Sequence, residues 1–289
     1  MKKLIALLVA LMTLTGAALA ECPSLDQGEY PRVDGSTATL PLSYRLMETA
    51  VGVDEMTAQA AIHHNKTTGS FYALVDGEAD LLLVYEPSED AWDYAKQQGV
   101  ELEVQAIGYD APVFLINDNN PVESLTHDEI VGIYSGRITN WSQVGGEDRE
   151  IVAYQRVETS GSQVMMKAQV MKDVEMTDAP VEYRTTEMGE LVDAIASYRN
   201  TANSIGYSVY YYIDNMYMQQ GIKLLAVNGV APTNQTIASG EYPYRQPFYA
   251  VIRADAPENA PARQLYNWLA TAEGRKLVED AGYVAAEVE

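Results

Sequence analysis

Three short clusters of glycine, serine and threonine each run directly into an apolar helical pattern. They are Gly35-Ser36-Thr37-Ala38-Thr39, Thr67-Thr68-Gly69-Ser70 and Thr159-Ser160-Gly161-Ser162. A helix N-terminus presents free backbone N–H groups and the positive end of the helix dipole, and small hydroxyl residues add donors of their own. Three such termini that converge would bind an oxyanion without any net positive charge. The alternative for each single cluster is an ordinary helix N-cap.

The sequence offers few residues for catalysis or for metal binding. His63 and His64 are adjacent, so their side chains point apart and cannot chelate a metal as an i, i+4 pair does. Ser160 has no histidine or lysine base in its sequence context. We therefore expect no catalytic residue, no metal site and no cofactor. A hydrolase is the alternative from the class of enzymes.

The charge balance restricts the partners. The chain carries 41 acidic and 19 basic residues, for a formal net charge of −22. Such an excess of negative charge argues against nucleic acid and against anionic membrane surfaces as partners. It also means that an anionic ligand must be held by local donors, against the overall field of the protein.

The first twenty residues have the layout of a secretory signal peptide. Lys2 and Lys3 precede an apolar stretch over residues 4–14, and Ala18-Leu19-Ala20 offers small residues where a signal peptidase cleaves. We predict a signal peptide over residues 1–20 and a protein outside the cytoplasm, in the periplasm or at the cell surface.

Cys22 is the only cysteine, so an exported chain has no internal disulfide. Its functional interpretation is a lipid-anchor site just after the signal peptide. Glu21 stands where lipoprotein signals require a small residue, which favours an incidental thiol instead.

Short β-like runs alternate with longer helical patterns along the chain. Strands are predicted at residues 81–85, 111–116, 151–154 and 248–252. Helices are predicted near residues 40–49, 70–77, 126–134, 162–171 and 189–198, and over 263–281 with a break at Gly274. This alternation predicts an α/β fold whose sheets are largely parallel.

Several ordered motifs give the chain a family resemblance. The segment Asn117–Pro121 is followed by IYSGRITNW at residues 133–141, then by RVETSGS at 156–162 and SIGY at 204–207. From about residue 34 to residue 284 the chain resembles the periplasmic phosphate-binding proteins of phosphate ABC transporters. The resemblance implies the type II periplasmic-binding-protein fold, a two-lobed α/β "Venus flytrap" with a ligand cleft between the lobes.

The resemblance also implies a division of the chain and a function. Lobe one would hold residues 23–112 plus 242–289 and lobe two residues 113–241, with crossings near 111–113 and 242–244. The protein would capture inorganic phosphate as a monomer and pass it to the membrane permease of an ABC importer. The alternatives are a binding protein for another oxyanion, such as sulfate or molybdate, and a stand-alone phosphate sensor or surface protein.

The resemblance assigns ligand-binding roles to both lobes. In lobe two the phosphate oxygens would be held by Arg156, Ser160, Gly161 and Ser162, with Glu158 pairing with the arginine to orient it. In lobe one they would be held by Thr39 and Leu40, or by Ser36 and Thr37 in another branch of the family, together with Thr67 and Thr68.

One position departs from the family pattern. The family has an aspartate that accepts the proton of phosphate, and such a carboxylate repels fully ionised sulfate. The equivalent residue here is Tyr85, and Glu86 follows it. A shift of one residue would bring the carboxylate of Glu86 into the cleft, and we expect a carboxylate there.

Overall fold

The computed structural model describes residues 21–197 and 202–286. The predicted signal peptide lies outside these residues. Within them, no helix is both long enough and apolar enough to span a bilayer.

Short strands rich in leucine, valine, isoleucine and phenylalanine build the sheets. The strands are β1 (Val33–Gly35), β2 (Leu81–Val84), β3 (Leu102–Asp110), β4 (Pro112–Asn117), β5 (Ser124–Leu125), β6 (Val152–Ala153), β7 (Gln155–Arg156), β8 (Arg184–Thr185), β9 (Ser204–Val209), β10 (Ile222–Leu224), β11 (Ala226–Val227), β12 (Gln246–Arg253) and β13 (Val284–Ala285). β2, β4 and β9 are buried along their whole length, because both faces of each are covered. The four strand predictions are confirmed, with ends displaced by one or two residues.

Two principal sheets give the fold its two lobes. The first has the strand order β1-β2-β12-β3-β13, and the second has the order β10-β4-β9-β6. Two further pairs, β11-β5 and β7-β8, form small sheets. The chain crosses from the first sheet to the second at Ala111, between β3 and β4, and has returned to the first at β12. The hydroxyl of Tyr242 donates to the carbonyl of Pro112 at 3.1 Å, which ties the two predicted crossings together.

The expectation of largely parallel sheets is wrong. β1–β2 and β6–β9 are parallel pairs, but β12 runs antiparallel to both β2 and β3, and β4 runs antiparallel to both β9 and β10. Alternating strands and helices give parallel pairs only when consecutive strands join the same sheet. Here β3 and β4 enter different sheets, and β12 joins the first sheet from a distant part of the chain.

The helices surround both sheets and largely follow the predictions. They are α1 (Leu40–Val51), α2 (Glu55–Ala61), α3 (Lys66–Val75), α4 (Glu89–Gln98), α5 (His127–Tyr134), α6 (Gly161–Met165), α7 (Met188–Ala196), α8 (Asn234–Ala238), α9 (Pro261–Leu269) and α10 (Ala272–Asp280). α6 continues as a π-helix over Met166–Met171. α3 begins earlier than predicted, so Thr67 and Thr68 lie in its first turn.

The predicted break at Gly274 is wrong. The chain turns at Ala270 and Thr271, and the Thr271 side chain caps α10 by accepting from the Gly274 N–H at 3.2 Å. A Cβ on Gly274 would lie 2.4 Å from the Trp268 carbonyl oxygen. The glycine therefore allows the first turn of α10 to pack closely against the end of α9.

The IYSGRITNW segment anchors the second lobe. A Cβ on Gly132 of α5 would lie 2.6 Å from Ile138, so the turn after the helix folds back tightly against it. Trp141 is fully buried and its indole N–H donates to the Asn203 carbonyl at 2.9 Å, just before β9. This strongest part of the family resemblance thus fixes the scaffold of the lobe.

Candidate oxyanion-binding site

The carboxyl ends of several strands and the starts of helices α3 and α6 surround one small cavity of about 80 Å³. Its walls are Ser36, Thr37, Lys66, Thr67, Tyr85, Arg156, Val157, Thr159, Ser160, Gly161, Ser162, Thr186, Met188 and Val209. Drug-sized ligands occupy pockets of roughly 300–1,000 Å³, so this cavity suits a small ion.

Larger hollows lie elsewhere, among them two beside Tyr30, with volumes of about 530 and 360 Å³. The larger is walled mainly by proline and alanine, and its arginines are paired, Arg32 with Asp80 and Arg253 with Asp255. The small cavity combines a buried positive charge that forms no ion pair with several buried hydroxyls. Neither of the two hollows beside Tyr30 has this combination.

Buried hydroxyls from both lobes meet at the cavity. The Ser36 and Thr67 hydroxyls lie 2.8 Å apart, and the Ser160 and Ser162 hydroxyls lie 3.0 Å apart. All four residues are at most 6% exposed. α1, α3 and α6 each begin without a hydrogen bond from a side chain at the N-cap position. The hydroxyls are therefore directed towards one another and the cavity, and do not act as the ordinary caps that were the alternative.

Two glycines make this approach possible. A Cβ on Gly161 would lie 2.4 Å from the Thr67 hydroxyl oxygen, so only glycine allows α6 to come this close to α3. A Cβ on Gly35 would lie 1.9 Å from the Leu83 carbonyl oxygen. Gly35 therefore lets β1 end tightly against β2, with the Ser36 N–H donating to that same carbonyl at 3.2 Å.

Arg156 brings a buried positive charge to the cavity. Its side chain donates to the backbone carbonyls of Thr185 at 3.2 Å and Thr186 at 3.0 Å, and Nη1 lies 3.5 Å from the Ser162 hydroxyl. The residue is only 4% exposed, and among the ion pairs of the described residues it has no acidic partner. Burial lowers the pKa of Arg156, but a guanidinium stays protonated. An uncompensated buried charge is costly until an anion joins it.

The expected partnership of Glu158 with Arg156 is wrong. The Glu158 carboxylate pairs with Lys167 at 2.7 Å, and its side chain is 71% exposed. Glu158 lies in the turn between β7 and α6, where its side chain reaches outward to the next helical turn.

Lys66 is the second cation of the cavity wall, and sequence reasoning missed it. Its Nζ lies 2.5 Å from the Glu187 carboxylate, which precedes α7. Its position directly before Thr67 and Thr68 was the available signal. Reasoning from the sequence also missed several other wall residues, which are Val157, Thr186, Met188 and Val209.

Besides Glu86, three predicted residues do not reach the cavity wall. The Thr39 hydroxyl lies 2.9 Å from the Ser36 carbonyl oxygen and 2.5 Å from that of Leu83, so it braces the loop. The Leu40 N–H donates to the Thr37 carbonyl. The Thr68 hydroxyl lies 3.3 Å from that of Ser88, on the other side of α3. The hydroxyls of Thr39 and Thr68 and the N–H group of Leu40 are therefore used in hydrogen bonds within lobe one.

The structure places Tyr85 and not Glu86 at the cavity, contrary to the expected carboxylate. Glu86 accepts from the Trp92 indole at 2.9 Å and also hydrogen-bonds Tyr249, so its carboxylate is turned away from the cavity. The Tyr85 hydroxyl donates to Asp110 at 2.6 Å. Burial raises the pKa of Asp110 to about 6.

The arrangement suits reversible binding of a small oxyanion. Hydroxyls and a guanidinium can donate several hydrogen bonds to its oxygens. Over residues 21–197 and 202–286, no group of three or more histidine, cysteine, aspartate or glutamate residues could hold a metal ion.

Comparisons with known proteins identify relatives of the chain. The family model described as a PBP superfamily domain matches residues 24–273. The phosphate-binding protein PstS of Borreliella burgdorferi is 25% identical over 299 aligned positions, covering 98% of this chain and 99% of its own. The phosphate-binding protein PstS of Bacillus subtilis is 26% identical, covering 87% and 79%.

Solved structures share the fold. A phosphate ABC transporter substrate-binding protein from Clostridium perfringens, with bound phosphate, superposes with a TM-score of 0.68 at 23% identity, covering 88% of this chain and 98% of that one. An ABC-type phosphate transport receptor from Vibrio cholerae gives 0.64 at 22% identity, covering 88% and 98%. Because the family model spans most of its length, the chain belongs to the PBP superfamily domain family.

Proposed function

We propose that this protein captures inorganic phosphate outside the cytoplasm and delivers it to the membrane permease of an ABC importer. The observation that carries the proposal is the buried guanidinium of Arg156, which forms no ion pair among the described residues and stands in the wall of a hydroxyl-lined cavity. A bound anion would supply the missing negative charge. The names of the curated relatives and the phosphate bound in the Clostridium perfringens protein support phosphate as that anion.

The site draws on both lobes, which suits a protein that signals its loaded state by closing. Ser36 and Tyr85 follow strands of the first sheet, and Val209 ends a strand of the second. A ligand held between them stabilises the closed arrangement, and a permease can distinguish the closed form from the open one. The lobe boundaries at residues 112 and 242 are part of this proposal, and the division of strands between the two sheets supports them.

We further propose that the protein is a monomeric binding protein without catalytic activity. The family match supports a binding role over a hydrolase. The partly buried Cys22 packs against the hydrophobic core and burial raises the pKa of its thiol to about 11, which supports an incidental thiol over a lipid anchor. The acidic composition supports the absence of nucleic-acid partners.

Isothermal titration of the phosphate-stripped protein with phosphate, arsenate, sulfate and molybdate tests the proposal. We expect saturable binding of phosphate with one site per chain. No heat with any of these oxyanions would overturn it.

A further inference from the structure

We infer that the cavity is a hydroxyl-lined site without a carboxylate that selects doubly charged tetrahedral oxyanions, so that it binds phosphate as the dianion and binds sulfate with comparable affinity. The inference deepens the proposed function and rests on it. Its basis is the composition of the cavity wall, which among the described residues contains two cations and seven hydroxyl residues besides Tyr85, but no carboxylate.

Two carboxylates of lobe one lie near the cavity, and both are engaged elsewhere. Asp34 accepts from the Gly35 N–H at 2.6 Å and from the backbone and side-chain N–H groups of Asn65 at 2.7 Å each. Glu86 is held by Trp92 and Tyr249. Neither residue belongs to the cavity wall.

Three further nearby carboxylates are also satisfied by donors, and one of them, Glu190, accepts from the Thr186 and Glu187 N–H groups at 3.1 and 3.0 Å. Asp110 lies behind Tyr85 and accepts from the Tyr85 hydroxyl, from the Ala111 N–H at 2.7 Å and from the Tyr211 N–H at 3.1 Å. Glu187 pairs with Lys66. The Tyr85 hydroxyl donates its one hydrogen to Asp110, so towards the ligand its oxygen can only accept, and it carries no charge that would repel sulfate.

The absence of a carboxylate from this wall determines the choice of anion. A carboxylate would accept a hydrogen bond from the protonated oxygen of phosphate and would repel sulfate, which has no proton to donate. Hydroxyls can donate to the unprotonated oxygens of either anion and can accept from the protonated oxygen of phosphate, and neither Lys66 nor Arg156 distinguishes sulfur from phosphorus. Both cations favour the more highly charged ion, which for phosphate is the dianion and for sulfate is the form present at all ordinary pH values.

The test is a competition titration of the phosphate-stripped full protein, at pH values below and above the second ionisation of phosphate. At the higher pH, sulfate should displace phosphate with a dissociation constant within about tenfold of that of phosphate. Phosphate affinity should fall at the lower pH in proportion to the dianion fraction, whereas sulfate affinity should change little.

A matched pair of variants places a carboxylate in the wall. Thr37→Asp should weaken sulfate binding relative to phosphate binding by at least ~30-fold, because sulfate then meets an unpaired like charge. Thr37→Asn, with the same size and no charge, should leave the ratio nearly unchanged.

The outcomes separate the inference from the proposed function. If the wild type binds phosphate but sulfate binds more than about 100-fold more weakly at the higher pH, the inference fails and the proposed function stands. Phosphate affinity that is equal at both pH values would also overturn it. If neither anion binds, the proposed function itself fails.

Discussion

Lys66 and Glu187 form an ion pair of 2.5 Å that joins the start of α3 in one lobe to the residue before α7 in the other. The backbone of Lys66 has a φ of +64°, in the left-handed region that a residue with a side chain adopts only at a cost of about 1–3 kcal/mol. The surrounding structure therefore imposes this conformation, which brings a cation to the cavity wall and into contact with the opposite lobe.

Lys66→Met should weaken phosphate binding by about tenfold or more, because it removes a charge-assisted contact worth about 1.5–3 kcal/mol. Glu187→Gln should change affinity by less than about fivefold, since the pair is half-exposed and such pairs are worth about 0–1 kcal/mol. Titrations at low and high salt measure both effects. Asp280→Asn, which breaks the exposed Lys276–Asp280 pair elsewhere, is the control. If the two substitutions weaken phosphate binding equally, Lys66 acts only through its ion pair with Glu187 and does not contact the phosphate.

Arg156→Met should cost about 2–5 kcal/mol of phosphate binding, because the buried phosphate would lose its desolvated cationic partner. The ligand-free variant should be at least as stable as the wild type, since an uncompensated buried charge opposes folding. Titration calorimetry and thermal unfolding without ligand measure the two quantities. Arg184→Met, at an exposed arginine paired with Asp178, is the matched control and should bind normally. Normal phosphate binding by Arg156→Met would place the site elsewhere.

The sequence predicted the hydroxyl clusters and Arg156 because local patterns carry them. A glycine-hydroxyl run before a helical pattern is visible in a few residues, and so is an arginine at a fixed distance from it. The alternation of strands and helices likewise predicted the α/β class.

The direction of single side chains could not be predicted in this way. Successive residues of an extended chain point to opposite faces, so a one-residue uncertainty exchanges Tyr85 with Glu86. The interactions that decide between them come from Trp92, Tyr249 and Asp110. The antiparallel insertion of β12 was missed for a similar reason, because strand pairing across a long stretch of chain leaves no local pattern.

Gly161→Ala should reduce phosphate affinity without unfolding the protein. The added Cβ would lie 2.4 Å from the Thr67 hydroxyl oxygen, so α6 and α3 must separate where the lobes meet. Overpacking of this kind costs about 1–3 kcal/mol, and we expect most of it to appear as weaker binding because the open form relieves the clash. Gly28→Ala is the control, since no atom lies within 4 Å of its added Cβ. Wild-type affinity in Gly161→Ala would show that the binding form does not require this contact.

Asp110 should make the stability of the protein depend on pH. Burial raises its pKa from 3.8 to about 6, so folding favours the protonated carboxyl. Its contribution to the free energy of unfolding is therefore fully present below about pH 4 and is lost as the pH rises through about 6. The loss amounts to about 3 kcal/mol.

Asp110→Asn should remove this pH-dependent loss of stability, because the amide keeps an acceptor for the Ala111 and Tyr211 N–H groups and carries no charge. Since many other acids titrate in the same range, the informative quantity is the difference between variant and wild type in denaturant unfolding at each pH. The free energy of unfolding of the variant should rise relative to that of the wild type as the pH increases from about 4 to about 7. A difference that is constant over this range would mean that the Asp110 carboxyl has the same pKa in the folded and unfolded chains.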